Sequence, residues 1–154
     1  MSIRLYAFDA RACDPKKCTA KKLGRHGLLT LVYSLTSLPK GCVLLNPTSE
    51  RAISREDEEY ASKGGLAALD LSWKHPTFPG VRGTRERALP YLLAGNPVNY
   101  GKPFQLSTAE ALAASLFIMG HEDHCLKILN KFKWGPGFMA LNEEPLRLYA
   151  KATN

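Results

Sequence analysis

The chain has 154 residues, 45% of them hydrophobic, and 21 Lys and Arg against 14 Asp and Glu give a net charge of +7. This is enough apolar material for one compact domain, or two tightly fused small ones, without disulfide staples, and the positive balance makes a polyanion a natural partner. No run approaches the roughly 20 apolar residues of a membrane span, and Met1-Ser-Ile-Arg-Leu-Tyr-Ala-Phe8 is too short and polar for a signal sequence, so a cytoplasmic protein without membrane association is expected.

In chain order, Ile3 to Phe8 alternates as a strand should. Gly41 to Leu45 and Leu66 to Asp70 read as short buried strands, each ending in polar or turn chemistry. Between them, Ser54 followed by Asp57 resembles a capping box, and Gly64-Gly65 supplies a helix stop after Lys63. The pattern is β-α-β. A fourth strand is expected over Pro90 to Ala94, before the turn Asn96-Pro-Val-Asn-Tyr-Gly101. Ser107 with Glu110 caps a helix whose Leu112, Ala113, Leu116 and Phe117 make one apolar stripe before Gly120. Two further helices are expected over Glu122 to Lys133 and Phe138 to Lys151. The chain therefore reads as an α/β part over residues 1–96 and a mainly helical part over 97–154, with no internal repeat.

The four cysteines, Cys13, Cys18, Cys42 and Cys125, are unevenly spaced and read as free thiols. Cys13 and Cys18 lack a second ligand pair at comparable spacing, which argues against zinc or an iron-sulfur cluster. The same stretch holds Lys16, Lys17, Lys21, Lys22 and Arg25, and Thr19 stands where a short helix can begin. A helix start offers N–H groups and a hydroxyl to a carboxylate or phosphate; a solvated basic loop accounts equally for the composition. His121-Glu-Asp-His124 spaces its histidines three apart, not the four a zinc-protease helix needs. No P-loop, dinucleotide fingerprint or nucleophile elbow is present, and no metal site is expected.

Two segments remain dense in chemistry: Asp70-Leu-Ser-Trp73 and Asn96-Pro-Val-Asn-Tyr-Gly-Lys-Pro103. In open α/β sheets ligands gather beyond the carboxyl ends of strands, where Leu45-Asn-Pro47, Leu69 to Trp73 and Leu89 to Ala94 are candidates. A purine ring suits a slot among Leu45, Pro47 and Trp73. The plain alternative is that Trp73 is a core aromatic and Asp70 a helix cap.

Several multi-residue blocks in one order resemble the ribosome-maturation aminocarboxypropyltransferase family. They are Asp-x-x-x-Cys-Asp-Pro-Lys-Lys-x-Thr from Asp9, Asp-x-Ser-Trp from Asp70, the run from Leu89 to Pro103, Leu-Ser-Thr-Ala-Glu-Ala from Leu106, and Phe-x-Trp-Gly-x-x-Phe from Phe132. Leu71 stands where the family often has cysteine, and Pro76 where a small residue would help Trp73 enclose a methyl group. The resemblance implies a SPOUT-like α/β fold with a deep trefoil knot, an arrangement too rare to propose from periodicity. It also implies S-adenosylmethionine as cofactor and small-subunit rRNA, or a pre-ribosomal particle, as partner. The reaction implied is transfer of the 3-amino-3-carboxypropyl group to ring N3 of an N1-methylpseudouridine, releasing methylthioadenosine.

Carried over by position, Thr19 and the backbone at Thr108 would hold the methionyl carboxylate, and the backbone at Leu69 the ribose. The backbone at Leu89 and Phe104 would read the adenine edge; Leu45, Pro47 and Trp73 would sandwich the ring, with Leu106 nearby. A sulfonium has three electrophilic carbons, and the one held in line with the nucleophile is transferred. Burying the methyl against Trp73 would leave the aminocarboxypropyl carbon facing RNA, with the indole face toward the positive sulfur. Asp70 is the candidate base for the N3 proton, with His75 a second candidate. Lys16, Lys17, Lys22, Lys74, Arg82, Arg85, Arg87 and Lys131 are expected to contact RNA phosphates, which fix position without reading sequence, and the target base would have to be exposed. A monomer is expected. An RNA methyltransferase using the same cofactor and a non-catalytic basic assembly factor are the alternatives.

Overall fold

A computed structural model describes residues 3–9, 19–46, 49–70, 83–97, 100–103 and 106–152, and of Asp9, Leu35, Leu69 and Asp70 the backbone alone. Its elements in chain order are β1 (Leu5–Asp9), α1 (Thr19–Arg25), β2 (Thr30–Val32), β3 (Val43–Leu45), α2 (Glu58–Gly64), β4 (Leu66–Asp70), β5 (Arg85–Arg87), α3 (Thr108–Ile118), α4 (Glu122–Leu129) and α5 (Gly135–Lys151). The five strands form one parallel sheet in the order β2-β1-β4-β3-β5. The chain is α/β, as its patterning predicts.

Alternation along the strands separates two faces. Leu5, Ala7, Val43, Leu45, Leu66 and Ala68 join the main core with α3, α4 and α5, whereas Leu44 and Ala67 pack with Val32, Leu38 and Cys42, and Tyr6 and Phe8 cover them. Because the main core runs from Ile3 to Leu146, it is continuous across residue 96.

Ser54 opens a single 3-10 turn, Arg55–Asp57, by donating its N–H to Asp57 Oδ2 at 3.0 Å, and α2 follows directly. The helix ends at Gly65, whose φ of 92° an L side chain rarely adopts. The expected strand over Pro90 to Ala94 is absent; among the described residues only Leu93 pairs there, in an isolated antiparallel bridge with Pro103. Pro90 has no N–H for a ladder. Asn142 of α5 instead captures Leu93, accepting from its N–H at 2.8 Å and donating to its carbonyl at 2.7 Å. The fifth strand lies earlier, at Arg85–Arg87, and β2 is too short for its alternation to be read.

α3 departs from its expected apolar stripe. Its residues from Thr108 to Ile118 are buried apart from the half-buried Ala111, because α1, α4, α5 and β4 surround it. Ser115 fits this apolar setting by donating its hydroxyl to the Ala111 carbonyl at 2.9 Å. α4 stops at Leu129, short of Lys133, and α5 begins at Gly135 with Pro136 in its first turn, where a missing N–H costs little. Among the described residues no helix is long and apolar enough to cross a membrane.

Candidate functional site

Parallel pairing brings the carboxyl ends of β1, β3, β4 and β5 to one edge of the sheet. Register sets Asp9 beside Asp70 and Leu45 beside Ala68 and Arg87, so the backbones at Leu45, Leu69 and Asp70 share that edge. Asn46 prolongs the β3–β5 ladder, its N–H donating to the Arg87 carbonyl at 2.9 Å and its side-chain amide to Glu86 Oε1. Leu45 and Leu106, expected beside the adenine, are buried in the main core, and half-buried Leu89, expected to act through its backbone, packs against it.

Two helix starts meet. Thr19, the first residue of α1, accepts at its hydroxyl oxygen from the Ala109 N–H at 3.0 Å. The hydroxyl proton then points elsewhere as a donor. Thr108 is the buried first residue of α3, so Thr19 and Thr108, separated widely in sequence, lie at one junction. The Ser107 cap is present as expected: Glu110 donates its N–H to Ser107 Oγ at 3.3 Å, and Ser107 donates its own to Glu110 Oε1 at 2.9 Å.

The expected phosphate-binding cations divide. Lys22 sits with its Nζ 4.9 Å from the centre of the Phe132 ring, which stacks on Trp134 at 4.7 Å. This cation–π contact docks basic α1 against the Lys131–Trp134 segment, where Lys131 and Lys133 are exposed. Arg85 and Arg87 require correction. Both turn toward Asp57, their Nε atoms 2.7 and 3.1 Å from its Oδ1, and Arg87 is buried. A carboxylate only 1% exposed needs cationic partners to offset its lost hydration, so these arginines serve the interior. Arg85 also stacks on Tyr60 at 3.8 Å. Lys16, Lys17, Pro47, Trp73, Lys74, His75, Arg82 and Phe104 lie outside the described residues.

Residues 43–154 match the family described as "Ribosome biogenesis protein, C-terminal". Residues 3–34 match one described as "Possible Fer4-like domain in RNase L inhibitor, RLI"; that stretch has two cysteines, where a four-iron cluster takes four thiolates. The chain is 48% identical to the 16S rRNA aminocarboxypropyltransferase of Methanothermobacter thermautotrophicus, over 99% of this chain and 92% of that one. It is 50% identical to the same enzyme of Methanopyrus kandleri, over 96% of this chain and 89% of that one. This chain belongs to the 16S rRNA aminocarboxypropyltransferase family. A solved structure, that of the SAM-dependent rRNA:acp-transferase Tsr3 from Vulcanisaeta distributa, matches at a TM-score of 0.93 and 39% identity, covering 99% of this chain and 85% of that one.

In this member of the aminocarboxypropyltransferase family, three polar residues that organise the site escaped the sequence reading: Asp57 beyond its cap, Asn142 and Glu110. Glu110 reads as an ordinary capping-box residue, but it is fully buried and also accepts from Gly95, Asn96 and the Asn96 side chain. Asn142 follows Phe138 by one helical turn and donates to its carbonyl at 2.9 Å. A polar residue on an otherwise apolar helix face was the available signal for it. His121 and His124 serve separately: His121 Nε2 is 3.1 Å from Glu58 Oε1, while His124 is half-buried in α4.

Proposed function

We propose that this protein transfers the 3-amino-3-carboxypropyl group of S-adenosylmethionine to ring N3 of an N1-methylpseudouridine in small-subunit rRNA during ribosome biogenesis. The carrying observation is the structural match to an rRNA:acp-transferase over nearly the whole chain. Family relatives named for that activity support it.

The residues in hand suit the cofactor. The junction of Thr19 with the α3 start offers a hydroxyl proton and the positive end of a helix to a carboxylate, and the core side chains Leu45 and Leu106 give an apolar border suited to a purine. S-adenosylmethionine supplies an electrophilic carbon on a sulfonium, with methylthioadenosine as the leaving group. Thr19 and the Thr108 backbone orient the methionyl carboxylate, and the backbones at Leu69, Leu89 and Phe104 hold the nucleoside. Leu45, Pro47, Trp73 and Leu106 enclose the adenine and shield the methyl, so that the larger arm faces the acceptor. Asp70, at the carboxyl end of β4, accepts the N3 proton. Lys22 and Lys131, with Lys16, Lys17, Lys74 and Arg82, hold phosphates around an exposed target base.

The same reading makes the fold SPOUT-like and knotted; the all-parallel sheet supports its α/β part. A ribosomal substrate favours a cytoplasmic location. The outward face of α5, with Glu143, Glu144, Arg147 and Lys151 exposed, favours a monomer.

Incubation of small-subunit rRNA that carries N1-methylpseudouridine but lacks the aminocarboxypropyl group, with cofactor labelled in the aminocarboxypropyl chain, tests the reading by nucleoside mass spectrometry. Labelled nucleoside and methylthioadenosine are expected, and Asp70→Ala is expected to bind cofactor normally but transfer slowly. Transfer of an unlabelled methyl with the label retained in S-adenosylhomocysteine would show a methyltransferase, and absence of either product would leave a binding factor. An Asp70→Ala protein transferring at the normal rate would remove Asp70 as base.

A further inference from the structure

Glu110 makes more contacts than its cap requires. A capping-box glutamate ordinarily returns to one N–H, that of its own N-cap residue, and Glu110 Oε1 does so toward Ser107 at 2.9 Å. The same oxygen accepts from the Asn96 side-chain amide at 2.6 Å, and Oε2 accepts from two successive backbone N–H groups, Gly95 at 2.5 Å and Asn96 at 3.2 Å. With no exposed surface, a carboxyl group must replace all its lost water contacts. Four N–H donors and the first turn of α3 do this here.

The donors come from both ends of one loop. Gly95 and Asn96 open the segment that returns to Ser107, and a single side chain therefore fixes the span between them. Other contacts stiffen the loop near the clamp: Gly101 donates to the Ala94 carbonyl at 2.7 Å, and Ala94 donates to that of Lys102 at 3.0 Å. Gly95 itself lies so close to α5 that an added Cβ would stand 2.7 Å from Phe138 Cα. Leu106 and Thr108 flank Ser107 directly, and Thr19 reaches the next residue, Ala109.

We infer that Glu110 is a positioning residue for S-adenosylmethionine, setting the loop from Gly95 to Ser107 against the start of α3 so that both present their cofactor-binding groups at one spacing. This rests on the reading above that Leu106 and Thr108 line the cofactor pocket. Glu110 touches neither substrate nor reacting atoms and acts through that backbone. Glu110→Gln keeps the shape and one acceptor oxygen, but turns an amide N–H pair toward two N–H donors.

Steady-state kinetics with small-subunit rRNA that carries N1-methylpseudouridine but lacks the aminocarboxypropyl group, well below each variant's Tm, tests this. For Glu110→Gln the KM for S-adenosylmethionine is expected to rise about tenfold, the scale of one lost hydrogen bond in a buried setting, with kcat and the KM for rRNA little changed. Asn96→Ala, which keeps both backbone donors on Oε2, is expected to raise it about threefold and serves if the first variant does not fold. Ile128→Ala, buried in α4 and making no hydrogen bond to the clamp, lowers stability as a control and is expected to leave the cofactor KM unchanged. An unchanged cofactor KM in every folded clamp variant, beside an active wild type, would overturn the inference alone. A wild type that neither binds cofactor nor transfers would overturn the functional reading and this inference with it.

Discussion

Asp57 is the residue on which the β5 edge depends. Its Oδ1 takes the Nε groups of Arg85 and Arg87, and its Oδ2 takes the Ser54 N–H. Removing one partner of a buried ion pair leaves the others desolvated and unpaired, at a cost of about 3–5 kcal/mol. Asp57→Ala is therefore expected to lower the unfolding free energy by about that amount, read from the urea midpoint at constant slope; a loss below 1 kcal/mol would show that water replaces the carboxylate. This role was invisible in sequence, because Asp57 reads as a cap and its arginines lie on another strand. Side chains that act on local backbone were legible: the Ser107–Glu110 cap and the Thr19 helix start were both readable from spacing. Side chains that act across the fold, such as Asn142 on Leu93, were not.

Among the elements, α3 decides how the helical part is built. As a striped helix it would leave Ala114 near solvent, where Leu is a better-packing and equally good helix former. In the structure Ala114 is fully buried, so the three added heavy atoms of a leucine must displace packed neighbours. Ala114→Leu is expected to destabilise by about 1–3 kcal/mol through overpacking, measured by chemical denaturation; a neutral or stabilised variant would restore the stripe. The helix itself was legible from its cap and its Gly120 stop. Its all-round burial was not, because alanine and serine fit a core as readily as a surface and the enclosing elements come from distant sequence. The misplaced fourth strand has the same origin. Pro90 to Ala94 has strand-like composition, but Asn142 takes the backbone groups a ladder would have used.

At the scale of the whole molecule, stability should fall on mild acidification. Burial holds the His124 imidazole below its ordinary value, with the nearby His121 and Lys127 charges acting in the same direction, and its buried Nδ1 has no hydrogen-bond partner among the described residues. Glu58 is also held below the usual carboxylate range, first by the Ser62 hydroxyl and then by His121, an effect weakened by solvent screening at this half-exposed carboxylate. In both cases the unfolded chain binds protons more readily, so stability rises with pH. The His124 contribution is complete above about pH 6.5 and is lost below it, and the Glu58 contribution follows below about pH 4.3. Urea midpoints measured from pH 8 to pH 4 are expected to decline in that order, and His124→Asn should flatten the first part of the decline. An unchanged slope between pH 7 and pH 5.5 in that variant would remove His124 as the cause.

The α/β class and the sheet's central strands were legible from short apolar runs, whereas strand order was not, since parallel neighbours are chosen by distant crossovers. That order governs how the protein emerges during synthesis. Leu5 pairs with Leu66, and Tyr6 with Thr30, so β1 leaves the ribosome exit tunnel long before its central neighbour exists. The first strand made must wait, its amides hydrated or shielded by nascent contacts, until β4 has been translated. The Arg-Glu-Arg strand at the opposite border is the last of the five to be translated, so the outermost ladder closes only after the strands inside it exist.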